Sequence, residues 1–281
     1  MATSIPLLET LQITLSSSGV TELAFNRPTR YNALSPLAYR DWLAAIQWAA
    51  RCDAVKVVVM TGRGKYYTSG QELQEPDNSP KGEEFNKKRR LVTKTLVDEL
   101  INFPKLLIAG VNGNAIGFGV TTLALFDVVY SIPQATFTTP FMKLAFCAEG
   151  CSSILFPRIM GVSRANEMLL LGRTFTAEEL VDCGFISRTI PAEDFHKEVL
   201  AIAHEAAKFS SEAIAVSKKL IRDVDRQVLL QVNEVEMARL SERMKSKDSQ
   251  DALNKFVEEN KRKKAAKSAK QQQQQQQQSK L

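Results

Sequence analysis

The chain has 281 residues, 44% hydrophobic and 24% charged, the composition of an ordinary soluble globular protein with room for one large domain or two small ones. Its formal net charge of +6 comes from one end: residues 261–281 hold seven basic residues and no acid, and without them 30 basic residues face 31 acidic ones. A near-neutral body argues against nucleic-acid binding, and no apolar run reaches membrane-spanning length.

Leu11–Leu15 and Val20–Phe25 read as short strands joined at Ser16–Gly19, a hairpin pattern. Ser35-Pro36 reads as a helix start, with Ser as N-cap and Pro in the first helical position. Apolar residues then recur at Tyr39, Trp42, Leu43, Ile46 and Ala50, one helical face. Val55–Met60 is nearly continuous in apolar residues, as expected of a parallel strand covered on both faces. Asp77–Lys88 is polar, holds Pro80 and Gly82, and reads as a mobile loop before a long helix ending near Asn102. Leu106–Val111 is the next buried strand. Gly113, Gly117 and Gly119 punctuate a turn before an apolar helix, Val120–Phe126, and Val128–Ile132 is another strand. This order predicts an α/β fold with a mainly parallel sheet.

Beyond Cys151 the pattern predicts helices only: Thr176–Cys183, ended by Gly184, then Glu193–Phe209, Ser211–Leu230 and Asn233–Asn260. The last carries Met237, Leu240, Met244, Leu253 and Phe256 among many charges, a pattern expected to pack against a partner subunit. Residues 263–281 close the chain with eight glutamines, Gln271 to Gln278, and Ser279-Lys280-Leu281. Such a tail cannot bury enough apolar surface to order itself. Its last three residues match the peroxisomal import address, which a receptor reads on an exposed end. A peroxisomal matrix location is therefore expected. The N-terminus shows no secretory signal. Cys52, Cys147, Cys151 and Cys183 form no metal-ligand spacing, and the two histidines, His196 and His204, fall in a helical stretch, so free thiols and no metal site are expected.

Four segments together resemble the crotonase (enoyl-CoA hydratase/isomerase) superfamily from about Leu11 to Phe256. They are Asn26-Arg27-Pro28 with Tyr31–Leu34; Tyr66–Gln71; Asn112–Gly119 before Phe126–Tyr130; and Thr176–Glu179 through Gly184–Ile186. The resemblance implies a spiral of ββα units, as in the ClpP/crotonase-like folds, over residues 1–200. A C-terminal helical region (201–262) would build a homotrimer or hexamer. The shared chemistry stabilises a thioester enolate with two backbone amides, here those of Gln71 and Phe118. Gly70 and Gly117 would let the backbone approach the ligand. The resemblance places the acyl-CoA against Ala33, Ser69, Gly70, Glu72, Leu73 and Gly117, with Arg27, Arg30 and Lys65 as candidate phosphate contacts.

Hydratases of the superfamily carry two glutamates. Alignment puts Thr121 and Phe141 in their places, and neither can act as a carboxylate base. Glu149, in Ala148–Ser153, lies in a segment similar to the peroxisomal Δ3-Δ2-enoyl-CoA isomerases, where one glutamate shuttles a proton from C2 to C4. That implies Glu149 as the catalytic residue, no cofactor beyond the substrate's own CoA, and a role in fatty acid β-oxidation. Another acyl-CoA reaction of the superfamily (hydration, dienoyl-CoA isomerisation or thioester hydrolysis) and a non-catalytic binding role stay open. Asp127, at a helix-to-strand corner, reads as structural.

Overall fold

β1 (Leu11–Leu15) and β2 (Val20–Phe25) form the expected hairpin, with Leu11 opposite Phe25 and Leu15 opposite Thr21. The computed structural model describes residues 4–75, 77, 79–259 and 261–262, so the tail and its terminal tripeptide lie outside the described residues. Ser35 caps α1 (Pro36–Arg51) by accepting from the Ala38 amide at 3.2 Å, and Pro36 occupies a position that needs no amide partner. The α1 face bearing Tyr39, Trp42 and Ile46 is buried. Trp42 meets Phe25 edge-on at 5.0 Å between ring centroids.

Three times the chain then lays one strand in each of two sheets and follows with a helix. β3 (Val57–Gly62) and β4 (Tyr66–Thr68) precede α2 (Pro80–Ile101). β5 (Leu106–Val111) and β6 (Asn114–Ile116) precede the short α3 (Phe118–Thr121) and a 3-10 turn, Thr122–Leu125. β7 (Val128–Ser131) and β8 (Thr136–Thr138) precede α4 (Ser152–Met160) and α5 (Val162–Leu169). Two short strands, β9 (Phe175–Thr176) and β10 (Arg188–Thr189), complete the sheets on either side of α6 (Ala177–Asp182). The sheet orders are β1-β2-β3-β5-β7-β10 and β4-β6-β8-β9. All pairings are parallel except β1 with β2 and β8 with β9. This is the expected spiral.

The apolar run in β3 is explained by cover on both faces. Val57 and Val59 pack with Phe195, Val199 and Ala203 of α7 (Phe195–Ala206), while Val58 and Met60 join Trp42 and Ile46 in the main core. The expected division at residue 200 falls inside α7, which packs on the sheet. α8 (Ser211–Lys245) follows it and packs against α2.

Three expectations need correction. Residues 80–88 are helical: Ser79 caps the Gly82 amide at 3.1 Å and Pro80 takes the first turn of α2, so the polarity there marks a solvated helix face. The region beyond Cys151 does contain strands. β9 and β10 have two residues each, too few for alternation to show. The C-terminal helices break at Ser246, not at Gln231–Val232, which hold no Gly or Pro. α8 runs unbroken for 35 residues, and residues 247–259 form a further helix. Asn233 serves inside α8 as a tie to α2, donating to Asp98 Oδ1 at 2.8 Å and to the Lys94 carbonyl at 3.1 Å. Asp127 is structural, as expected: it accepts from the Leu107 amide at 2.8 Å and pairs with Lys218 and Arg222 of α8 at 2.7 and 3.3 Å.

The register of the smaller sheet positions the site. Thr68 lies opposite Ala115, and Ile116 opposite Thr138, so the loops leaving β4, β6 and β8 start side by side.

Candidate active site

Gly70 follows β4 with φ +76°, a conformation glycine adopts without strain. A Cβ there would lie 2.7 Å from the Ile116 carbonyl oxygen. The missing side chain is what lets the β4 loop press against the end of β6. Leu34 then bridges this loop: its amide donates to the Gly70 carbonyl at 2.8 Å, and its carbonyl accepts from the Glu72 amide at 3.0 Å. In such a parallel bridge the middle residue, Gln71, turns its own amide to the opposite side.

Gly117 caps α3 at φ +58°, ψ −122°, a region open to glycine alone. Phe118 opens the helix, so its amide has no acceptor within the helix. Its ring lies between Tyr39 and Trp42, at 5.2 and 5.7 Å between centroids. The bulky side chain therefore anchors the backbone from the core side.

Glu149 precedes α4 and is followed by two left-handed positions, Gly150 at φ +67° and Cys151 at φ +63°. Only 5% of Glu149 is exposed. Thr121 Oγ1 donates to its Oε1 at 2.9 Å. Burial raises its pKa to about 8, against the Thr121 hydrogen bond and with the nearby Glu236 adding to the rise. Glu236 comes from α8 and accepts from the amides of Cys151 and Ser153 at 2.7 and 3.0 Å. It thereby caps α4 in place of a local side chain.

These parts line one cavity of about 640 Å³. Gln71, Phe118 and Glu149 are on its wall, as are Ala33, Ser69, Gly70, Glu72, Leu73 and Gly117. Met237, Leu240 and Met244 of α8, with Phe256 from the last helix, close its apolar side.

The profile of the family described as Enoyl-CoA hydratase/isomerase matches residues 16–267. The chain belongs to this family. Human enoyl-CoA delta isomerase 2 is 39% identical over 251 residues, which cover 89% of this chain and 63% of that protein. Mouse "Enoyl-CoA delta isomerase 3, peroxisomal" is 39% identical over 244 residues, 86% of this chain and 76% of that one. The chain thus spans less than two thirds of the human relative. The crystal structure of an enoyl-CoA hydratase/isomerase from Pseudoalteromonas atlantica T6c superposes with a TM-score of 0.80 at 26% identity, over 89% of this chain and 98% of that one.

Within this hydratase/isomerase fold, the two positions aligned with hydratase glutamates both fall on the site. Thr121 holds Glu149, and Phe141 is buried on the cavity wall. Of the candidate phosphate contacts, Arg27 and Arg30 are both engaged by Glu72. Burial pushes the Glu72 carboxyl up, but the hydrogen bonds to Arg30 and Arg27 more than offset this and leave it below its ordinary value. Lys65 is not on the cavity wall. Sequence reasoning missed Glu236 and Tyr39, and assigned the Met237–Leu240–Met244 stripe to a subunit contact. Its helical spacing was visible, but its target was not. Among the described residues no three His, Cys, Asp or Glu side chains converge as a metal site requires, and no helix is long and apolar enough to cross a membrane.

The arrangement offers one buried carboxyl with raised proton affinity on the wall of a mostly apolar cavity, with Gln71 and Phe118 on the same wall. That combination suits proton transfer at carbon beside a polarised carbonyl.

Proposed function

We propose that the protein shifts the double bond of 3-enoyl-CoA to trans-2-enoyl-CoA, with Glu149 as the single acid/base. The observation that carries this reading is the lone carboxylate. Among the described residues Glu149 and Glu72 are the carboxylates on the cavity wall, and Glu72 is neutralised by two arginines. In the ionised form Glu149 takes a proton from C2. The electron pair moves into the thioester, and the enolate oxygen accepts from the amides of Gln71 and Phe118. The C3–C4 double bond of the conjugated dienolate then takes the same proton back from Glu149 at C4, and the double bond rests between C2 and C3. No water enters the balance: Thr121 and Phe141 stand where hydratases carry glutamates, and among the described residues the other carboxylate of the wall, Glu72, is held by Arg27 and Arg30.

The relatives' names support the reaction class, and one of them supports the compartment. The terminal Ser279-Lys280-Leu281 supports delivery to the peroxisomal matrix through its import receptor, and there a role in β-oxidation of unsaturated acyl chains. The exposed stripe Val216, Leu220, Val224 and Val228 along α8 supports assembly with further copies of the chain, as a homotrimer or a pair of trimers. The test of function is to incubate the purified protein separately with 3-enoyl-CoA and 2-enoyl-CoA and to identify the products. Isomerisation of the first without hydration of the second is expected. Faster hydration of 2-enoyl-CoA would replace the isomerase reading with a hydratase one.

A further inference from the structure

Arg89 is, with Arg90 and Lys143, one of the charged groups on the cavity wall that the proposed reaction does not use. It stands on α2 beside Arg90, both half-buried. Both side chains line the cavity that holds Glu149, and both also line a second cavity of about 370 Å³. The two cavities share Gln71, Leu73 and Met244 as well, so the second continues the first past the two arginines. Among the described residues no hydrogen bond or ion pair holds either guanidinium. Of the acids near them, Glu72 is engaged by Arg27 and Arg30 and Glu75 by Lys261, while Glu83, 4.0 Å from Lys245, acts on Arg90 only through space. Withdrawal from water holds both arginines below their ordinary pKa, and Arg90 adds a like charge against Arg89.

Position along the cavity follows from the two walls. Arg89 and Arg90 stand where the first cavity passes into the second, and among the described residues the second wall holds Leu73 and Met244 but neither Glu149 nor Phe118. Arg89 therefore stands on the side of the cavity that leads away from Glu149. A plain alkyl chain passing there would strip water from an unpaired cation and return nothing. A carboxylate would satisfy it, and the guanidinium fork matches a carboxylate in two parallel hydrogen bonds.

We infer that the cavity takes enoyl-CoA thioesters whose far acyl end carries a carboxylate, held by Arg89 with Arg90 behind it. This rests on the isomerase reading for turnover, but the binding preference does not need it. The same chemistry could come from the phosphates of CoA, and the measurements separate the two sources. Two 3-enoyl-CoA substrates of equal length, one ending in a methyl group and one in a carboxylate, are compared by kcat/KM in the full chain and in Arg89→Met and Arg89→Lys. In parallel, the saturated esters and free CoA are titrated calorimetrically.

The ratio of kcat/KM, carboxylate over methyl, should fall about 10–100-fold in Arg89→Met, the range of a lost charged hydrogen bond. Arg89→Lys should recover part of it. The calorimetric preference for the carboxylate ester should fall in step. Equal losses for both esters and for free CoA would assign Arg89 to a phosphate and overturn the inference, as would an unchanged ratio. If neither substrate is isomerised, the proposed function fails, and the calorimetric preference alone decides this inference. A matching circular dichroism melt for Arg89→Met excludes misfolding, and Arg90→Met, with a smaller fall in the ratio, provides a second variant.

Discussion

Glu149 keeps its proton to about pH 8 in the folded chain, against an ordinary 4.5. Two consequences follow at this residue. As a base it acts ionised, so kcat/KM should rise with pH through a midpoint near 8. Glu149→Gln should lose about two to four decades in turnover. Retention of most activity would sink the mechanism. For stability the sign runs the other way. Between 4.5 and about 8 the folded state holds a proton that the unfolded state has released. The stabilisation is therefore complete below 4.5 and is lost as pH rises through 8. Glu149→Gln removes this dependence, so its melting temperature should exceed the wild type's at about pH 8 by more than at about pH 5. An equal gap at both would show that the carboxyl is not held neutral. Thr121 favours the ionised form through its 2.9 Å hydrogen bond. Thr121→Val should move the kinetic midpoint upward by about one unit or more, while a purely structural role would lower kcat without moving it.

Two glycines separate turn geometry from site geometry at the scale of elements. Gly117, at φ +58° before α3, sets the backbone leading into Phe118, yet a Cβ there would meet only Pro140 Cδ, at 3.8 Å. Space is open, so the constraint is the backbone itself. Gly117→Ala should cost about 1–3 kcal/mol of strain. It should also cost about two decades or more in kcat if the backbone relaxes and turns the donor away. Gly184 ends α6 at φ +77° with nothing within 4 Å of a built Cβ. Gly184→Ala should lower stability by about 1 kcal/mol and leave kcat alone. Comparable kcat losses for both would mean that fold damage, not donor aim, is being read. At α4 the capping acceptor comes from another helix. Glu236→Ala should cost about 1–3 kcal/mol by orphaning the Cys151 and Ser153 amides, measured by denaturant midpoint.

On the scale of the molecule, α8 has two occupations. One side closes the cavity with Met237, Leu240 and Met244. Farther toward its start, Leu220, Ile221 and Val224 are 75%, 74% and 81% exposed, an apolar surface that a folded chain in water normally covers. Sedimentation should find an assembly of three or six chains, and Leu220→Glu with Val224→Glu should disperse it. A wild-type monomer at micromolar concentration would remove the assembly. Deleting Ser279–Leu281 should leave activity intact and hold the protein in the cytosol. Continued import without a partner subunit would contradict the address.

The order of the longer strands and helices, with β1, β2, β3, β5 and β7 of the larger sheet, was legible in the sequence because it rests on local signals: apolar runs, alternation and the Ser35-Pro36 cap. The loops at Gly70–Gln71 and Gly117–Phe118 were legible as site loops through the resemblance of their segments to those of the superfamily. Local signals failed where elements were too short, as at β4, β6, β8, β9 and β10, with two or three residues each, or where composition imitates a loop, as at residues 80–88. Only the tertiary structure decided what acts on Glu149. Its proton affinity depends on Thr121 at the end of α3, on Glu236 far along α8, and on helices that exclude water. It also decided that α8 turns Met237, Leu240 and Met244 onto the cavity, and that Arg89 faces that cavity without a counter-ion among the described residues. Periodicity shows that a helix has an apolar face, but what that face meets depends on contacts across the whole chain.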